Sequence, residues 1–200
     1  VQNFQADSAM AIALDVKTGE VLAMVSQPAY NPNNRKTFTE ENMRNRALTD
    51  VFEPGSTVKP FTVLAGLESG QYSPWTPIET TPGFYRVGNR TVRDHHNYGL
   101  IDVTTVITKS SNIGSSKIAL SLPPETLVDT FRRVGLGESL STGFPGERGG
   151  SLPHRKKWAD IQVATLSFGY GMEVTALQLV GAYAVLANGG VKMPIRLVKS

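Results

Sequence analysis

The sequence predicts an α+β fold, with helices packed on an antiparallel sheet. Three observations carry this reading. Two short stretches rich in small and apolar residues, 8–15 and 21–26, flank a turn and read as a hairpin. Most of the chain after residue 56 has helical patterning. Two leading strands cannot form a stable sheet alone, so a third and further strands are expected beyond Ser200.

The 200 residues suffice for one domain with a hydrophobic core, and the composition is ordinary for a globular protein at 40% hydrophobic and 18% charged. No apolar run approaches the length of a membrane span. The first residue is Val1, so a processed or excised piece is expected, with any anchor or targeting segment outside it. There is no cysteine, which excludes disulfides, thiol nucleophiles and Cys-ligated metals. The net charge of +3 suits an anionic partner without defining one. No basic run is interleaved with aromatics, so no nucleic-acid partner is expected, and Arg155-Lys156-Lys157 reads as a solvated loop.

Each element follows from local chemistry. Asp15-Val16-Lys17-Thr18-Gly19-Glu20 supplies the hairpin turn, Gly19 being free to take positive φ. The polar stretch 27–45, with Pro28 and Asn31-Pro32-Asn33-Asn34, is a surface connection. Residues 56–69 read as a buried helix bearing Val58, Phe61, Leu64, Ala65 and Leu67, ended by Gly70. Residues 73–82 contain three prolines and are extended. Residues 83–93 predict two short strands around Gly88-Asn89. Residues 104–122 are helical, interrupted at Ser110-Ser111-Asn112 and at Gly114. Residues 123–134 form an amphipathic helix with Leu127, Val128, Phe131 and Val134 on one face, closed by Gly135. A Gly/Pro-rich loop at 143–153 precedes a last long helix at 175–187, stopped by Asn188-Gly189-Gly190.

A serine hydroxyl needs a base before it can act as a nucleophile. His95, His96 and His154 lie in polar turns without an adjacent serine motif, no G-x-S-x-G elbow exists, and no metal-ligand spacing appears. Lysine is better placed. Ser56 and Lys59 are three apart, so on a helix they share a face. Burial at the head of an apolar helix would disfavour the ammonium and yield a neutral amine as base. Gly55 permits a sharp turn before the nucleophile and Pro54 stiffens it, while Pro60 disfavours helical geometry at Lys59 and predicts a tight or irregular first turn. S-x-x-K is a weak pattern alone, and an ordinary helix start with a snorkelling lysine is the competing reading. Ser110 and Asn112 form a second candidate pair. Two residues apart do not share a helix face, so both can point into a site only from a non-helical corner. The alternative is a helix N-cap for the segment from Ile113.

S-x-x-K followed by S-x-N is the first two-thirds of the serine acyl-transferase signature. Phe52-Glu53-Pro54-Gly55-Ser56-Thr57-Val58-Lys59-Pro60 resembles the first motif of class B penicillin-binding proteins. Lys109-Ser110-Ser111-Asn112-Ile113-Gly114, Gly146-Glu147-Arg148 and Ser167-Phe168-Gly169-Tyr170-Gly171, with Thr175 and Gln178-Leu179, resemble the division-specific members from proteobacteria. The resemblance runs over residues 8–194. It implies the α/β sandwich of the penicillin-binding protein and serine β-lactamase type, with residues 1–200 a partial transpeptidase domain.

The resemblance further implies a peptidoglycan D,D-transpeptidase of septal cell-wall synthesis. Ser56 would be the acylated nucleophile, Lys59 its base, Ser110 a proton shuttle and Asn112 a ligand for the substrate amide. Its partners would be stem peptides ending in D-Ala-D-Ala, β-lactam antibiotics and divisome proteins including a glycosyltransferase, with no metal or organic cofactor. Its place would be the periplasmic face of the inner membrane, through an anchor outside this chain. A D,D-carboxypeptidase or a β-lactam sensor would share the acylation site. A class A β-lactamase is disfavoured, since no Glu-x-x-Leu-Asn loop is present. The third motif of the family, K-T/S-G, is absent. Lys199-Ser200 is not assigned to it, and these 200 residues alone are expected to be catalytically crippled.

Overall fold

β1 (Ala9–Leu14) and β2 (Val21–Gln27) form the expected antiparallel hairpin, pairing Ala9 with Gln27 and Ile12 with Met24. The computed structural model describes residue 3 and residues 5–198, so Lys199-Ser200 lies outside the described residues. The turn closes through Asp15, whose carboxylate accepts from the Lys17 and Thr18 amides, and Gly19 takes φ +74°. A 3-10 turn at Arg35–Thr37 and the one-turn helices α1 (Glu40–Met43) and α2 (Arg46–Thr49) follow.

Next come α3 (Lys59–Glu68), β3 (Pro77–Glu79), β4 (Phe84–Val87), β5 (Arg90–Arg93) and β6 (Leu100–Asp102). The chain continues through α4 (Val103–Thr108), α5 (Asn112–Leu120), α6 (Pro124–Arg133), α7 (Asp160–Leu166) and α8 (Ala176–Ala187). Among the described residues these strands form three two-stranded antiparallel sheets, β1–β2, β3–β6 and β4–β5.

Contacts divide the chain into two units. One comprises Val1–Phe52, Val134–Ser151 and Glu173–Ser200. In it α8 packs on β1 and α2 packs on both hairpin strands, the helix-on-sheet arrangement predicted. Thr175 and Gln178 form a capping box at the start of α8, and the buried Gln178 carboxamide also donates to the carbonyls of Glu138 and Gly149, the latter at 2.6 Å. The other unit comprises Glu53–Arg133 and Leu152–Met172. It is mainly helical: α3 packs against α4, α5 and α6, and α5 against α7. One apolar cluster joins Val63, Ile78, Ile101, Val103, Val106 and Ile118. Another joins Val87 and Val92 of the second hairpin to Ile113, Ala164 and Phe168. The predicted face of α6 is buried, with Leu127 and Phe131 fully so, and burial of side chains this size contributes roughly 1.5–3 kcal/mol each.

Two expectations need correction. Gly114 does not interrupt a helix. It lies within α5, and a Cβ there would stand 2.5 Å from Val106 Cγ2, so its small size lets α4 and α5 approach. Lys59 is helical despite preceding Pro60, at φ −54° and ψ −36°. Pro60 falls in the first turn of α3, where its missing N–H has no intrahelical acceptor to lose. The tight first turn expected of this stretch is present as the 3-10 turn at Gly55–Val58. Helix α7 and strand β6 were not legible in the sequence. No helix among the described residues is long and apolar enough to cross a membrane.

Candidate active site

Ser56 lies exposed in the 3-10 turn that leads into α3. Gly55 supplies the sharp turn at φ +59°, and the Lys59 amide donates to the Ser56 carbonyl. In 3-10 geometry residues i and i+3 eclipse, which aligns Ser56 and Lys59 more directly than an α-helical turn would.

Lys59 is 2% exposed. Its Nζ donates to the Ser110 carbonyl at 2.5 Å, Ser110 Oγ at 2.9 Å and Asn112 Oδ1 at 2.7 Å. Three acceptors engage all three N–H groups of an ammonium. Burial lowers the Lys59 pKa to about 8, partly opposed by the negative charge of Asp94. A neutral amine keeps only two N–H groups and gains a lone pair, to which the Ser110 hydroxyl can donate. Among the described residues, Lys59 Nζ makes no hydrogen bond to Ser56 Oγ.

Ser110 sits in the corner between α4 and α5 at φ +55°, a left-handed conformation uncommon for a residue with a Cβ. The Ser-Ser-Asn sequence provides a non-helical corner and a helix cap at once. Ser111 is the N-cap of α5, accepting from the Gly114 amide at 2.8 Å, and this frees Ser110 and Asn112 on either side to turn toward Lys59. The Asn112 carboxamide is pinned from its other end, donating to the Arg93 carbonyl at 3.0 Å. His95, His96 and His154 are exposed, as expected of loop histidines.

Residues 9–200 match the family profile of the penicillin binding protein transpeptidase domain. The chain belongs to the penicillin-binding protein transpeptidase family. It is 46% identical over 195 residues to peptidoglycan D,D-transpeptidase FtsI of Escherichia coli strain K12, covering 98% of this chain and 33% of that protein. It is 43% identical over 199 residues to the probable peptidoglycan D,D-transpeptidase PbpC of Pseudomonas aeruginosa, covering 100% of this chain and 35% of that protein. This transpeptidase-family chain thus spans about a third of the length of these curated relatives.

Among solved structures, the apo transpeptidase domain of Burkholderia pseudomallei penicillin-binding protein 3 superposes with a TM-score of 0.90 at 40% identity. The match covers 100% of this chain and 56% of that one. A peptidoglycan glycosyltransferase from Burkholderia ambifaria superposes with the same TM-score at 41% identity, covering 100% of this chain and 59% of that one. The α+β fold of the transpeptidase domain is therefore shared with these structures.

Sequence reasoning missed two supports of this candidate site. The first is Asp94, whose carboxylate accepts from Ser111 Oγ at 2.6 Å and from the Ile113 amide at 3.0 Å. It anchors the start of α5, where a negative charge is also favoured by the helix dipole. A charged residue in a turn carries no sequence signal for such a contact. Asp94→Ala leaves the Ser111 hydroxyl and the Ile113 amide without this acceptor, and should lower the unfolding free energy by about 2 kcal/mol. Urea denaturation of the variant would measure it, and an unchanged midpoint would refute the anchoring role.

The second is the contact of Gly169 with Gly55. Gly169 is at φ +89°, and a Cβ on it would lie 2.2 Å from the Gly55 carbonyl oxygen. The Gly55 amide points toward the Gly169 carbonyl at 3.4 Å, and Glu53 Oε1 accepts from the Gly171 amide at 2.8 Å. Gly169 thus permits the backbone of the 167–171 segment to lie against the turn that presents Ser56. Gly169→Ala combines backbone strain with overlap on a backbone atom, neither of which a rotamer change relieves. It should destabilise by roughly 3 kcal/mol or more. A thermal unfolding curve within a degree of the parent's would contradict that.

Proposed function

We propose that the full-length protein is a peptidoglycan D,D-transpeptidase acting in septal cell-wall synthesis, with Ser56 as its nucleophile. The observation that supports this most directly is the buried Lys59 amine, held between Ser110 and Asn112 one 3-10 turn beyond the exposed Ser56. Family membership and the names of the relatives agree with it.

In this reading neutral Lys59 takes the Ser56 proton as Oγ attacks the penultimate D-Ala carbonyl of a stem peptide. The peptide C–N bond breaks, and Ser110 Oγ, 2.9 Å from Lys59 Nζ, relays the proton to the departing D-Ala amine. The acyl group then passes from Ser56 to an amine of a neighbouring stem peptide, restoring the serine. Asn112 Nδ2 donates one N–H to the Arg93 carbonyl and keeps a second for a substrate carbonyl, while Oδ1 remains with Lys59. β-Lactams acylate the same serine because the ring amide mimics the D-Ala-D-Ala bond. A K-T/S-G strand beyond Ser200 completes the substrate site in this reading. The divisome partners, a glycosyltransferase among them, and a single-pass inner-membrane anchor with a periplasmic domain belong to the same proposal.

The test is mass spectrometry of the full-length protein after exposure to benzylpenicillin. One equivalent of opened β-lactam should map to the peptide containing Ser56. A label on any other residue would remove the assignment. Incubation with a D-Ala-D-Ala stem peptide and an acceptor amine then separates the transpeptidase from a D,D-carboxypeptidase. The first yields cross-linked product and the second only the shortened peptide.

A further inference from the structure

Below the polar groups around Lys59 lies a second polar layer. Thr62 is one turn beyond Lys59 on α3, and Ser115 is one turn beyond Asn112 on α5. Each therefore shares a helix face with its partner above it. Thr62 Oγ1 donates to the Ser167 carbonyl at 2.8 Å. Ser115 Oγ donates to the same carbonyl at 2.7 Å and stands 3.0 Å from Ser167 Oγ, which itself donates to the Ala164 carbonyl at 2.6 Å. All three residues are 0% exposed.

Ser167 is the C-cap of α7, where backbone carbonyls lack intrahelical donors. Two side chains from two other helices satisfy this one, with no solvent access. Two residues later comes Gly169, pressed on the Gly55 backbone that precedes Ser56. The one carbonyl is thereby tied to α3, to α5 and to the segment behind the nucleophile. Resting on the function proposed above, we infer that Thr62, Ser115 and Ser167 are positioning residues for the reaction. They fix the separation of Lys59 from Ser110 and Asn112, and the placement of the Ser56 turn. One donor would suffice to satisfy a buried carbonyl, so the second hydroxyl, brought from a different helix, adds a fixed spacing between α3 and α5.

The charged groups around α3 leave Lys59 as a reporter of this geometry. Glu68 on α3 pairs with Arg133 on α6, and Lys117 on α5 donates to the Glu79 carbonyl at 2.6 Å. Asp129 on α6 pairs with Arg132 at 2.6 Å, and α6 also carries Glu125. Asp94 is the acid whose charge bears on Lys59.

The experiment uses the full-length protein and fluorescent penicillin, with Thr62→Val, Thr62→Ser, Ser115→Ala and, as a packing control, Leu127→Ala on α6. The first-order acylation step should slow about tenfold in Thr62→Val and Ser115→Ala, with non-covalent affinity unchanged. Thr62→Ser should restore it. The titration midpoint of Lys59, followed by NMR of its Cε, should move in the two hydroxyl-deleting variants and stay in place in Leu127→Ala. Unaltered acylation and titration in Thr62→Val and Ser115→Ala would overturn the inference, as would an equal slowing in Leu127→Ala. If the parent protein takes up no label at Ser56, the functional reading fails separately, and the Lys59 titration alone still decides whether this layer sets the geometry.

Discussion

Ser56→Ala should take up no covalent penicillin, while its fold and thermal stability should match those of the parent. The removed oxygen is exposed, and the turn around it is held by backbone groups: the Lys59 amide on the Ser56 carbonyl, and Gly55 against Gly169. Surface changes of this kind shift stability by only about 0.5 kcal/mol. The chemical loss is of another order. In the proposed mechanism the remaining groups can still bind and polarise the β-lactam but, without the nucleophile, cannot form the ester. Single removal of a nucleophile in serine hydrolases costs on the order of 10⁶ in rate. Mass spectrometry after hours of incubation reads the result directly. Residual stoichiometric labelling of the folded variant would mean that another group carries the acyl chemistry.

The second large effect is at Lys59. Lys59→Ala should slow acylation by roughly 10²–10⁴-fold, the range for loss of a general base. Lys59→Arg should not restore it, since a guanidinium does not give up its proton in the working range. The fold should survive, because two changes oppose each other. Truncation removes a buried cation, and it also leaves Asn112 Oδ1 and the Ser110 carbonyl without their donor.

The same amine sets the pH dependence. With its pKa lowered to about 8, the free base grows in as pH rises, so acylation should climb through pH 7–9 with a midpoint near 8. Stability follows the same sign. The unfolded lysine titrates near 10.5, so below pH 8 both states carry the proton and the fold bears the full burial penalty. Between about 8 and 10.5 the unfolded state holds more protons, and this residue's contribution to unfolding free energy rises with pH. The difference between parent and Lys59→Ala in urea midpoints across that window isolates the effect. A flat difference, together with acylation that does not depend on pH, would exclude Lys59 as the base.

Some of the site was readable because its signals are local. Gly55, Ser56 and Lys59 are neighbours in the chain, and their spacing alone puts Ser56 and Lys59 on one side of a turn. The corner at Ser110 was readable because a residue pair two apart cannot share a helix face, so its usefulness demanded a break. Asp94, Thr62, Ser115 and Ser167 gave no such signal. A threonine in the middle of an apolar helix and a serine after an N-cap look like ordinary tolerance until their acceptor is known. That acceptor is a backbone carbonyl far along the chain, and every residue has one. Gly114 was misjudged for the same reason: its meaning is a contact with Val106, not a backbone need. Helix α7 is short, and its burial against α5 outweighs its weak patterning.

The sequence by itself determined the α+β class, the hairpin, the amphipathic face of α6 and the tight turn bearing Ser56. These depend on residues close in the chain, through periodicity, glycine conformational freedom and proline restriction. Only the tertiary structure decided that Lys59 is buried among Ser110 and Asn112, that Asp94 anchors the start of α5, and that one carbonyl at Ser167 gathers hydroxyls from two helices. Desolvation and hydrogen bonding across the chain set those features. Their energies come from which groups meet once water is excluded, and that is a property of the packed chain, not of any short stretch of it.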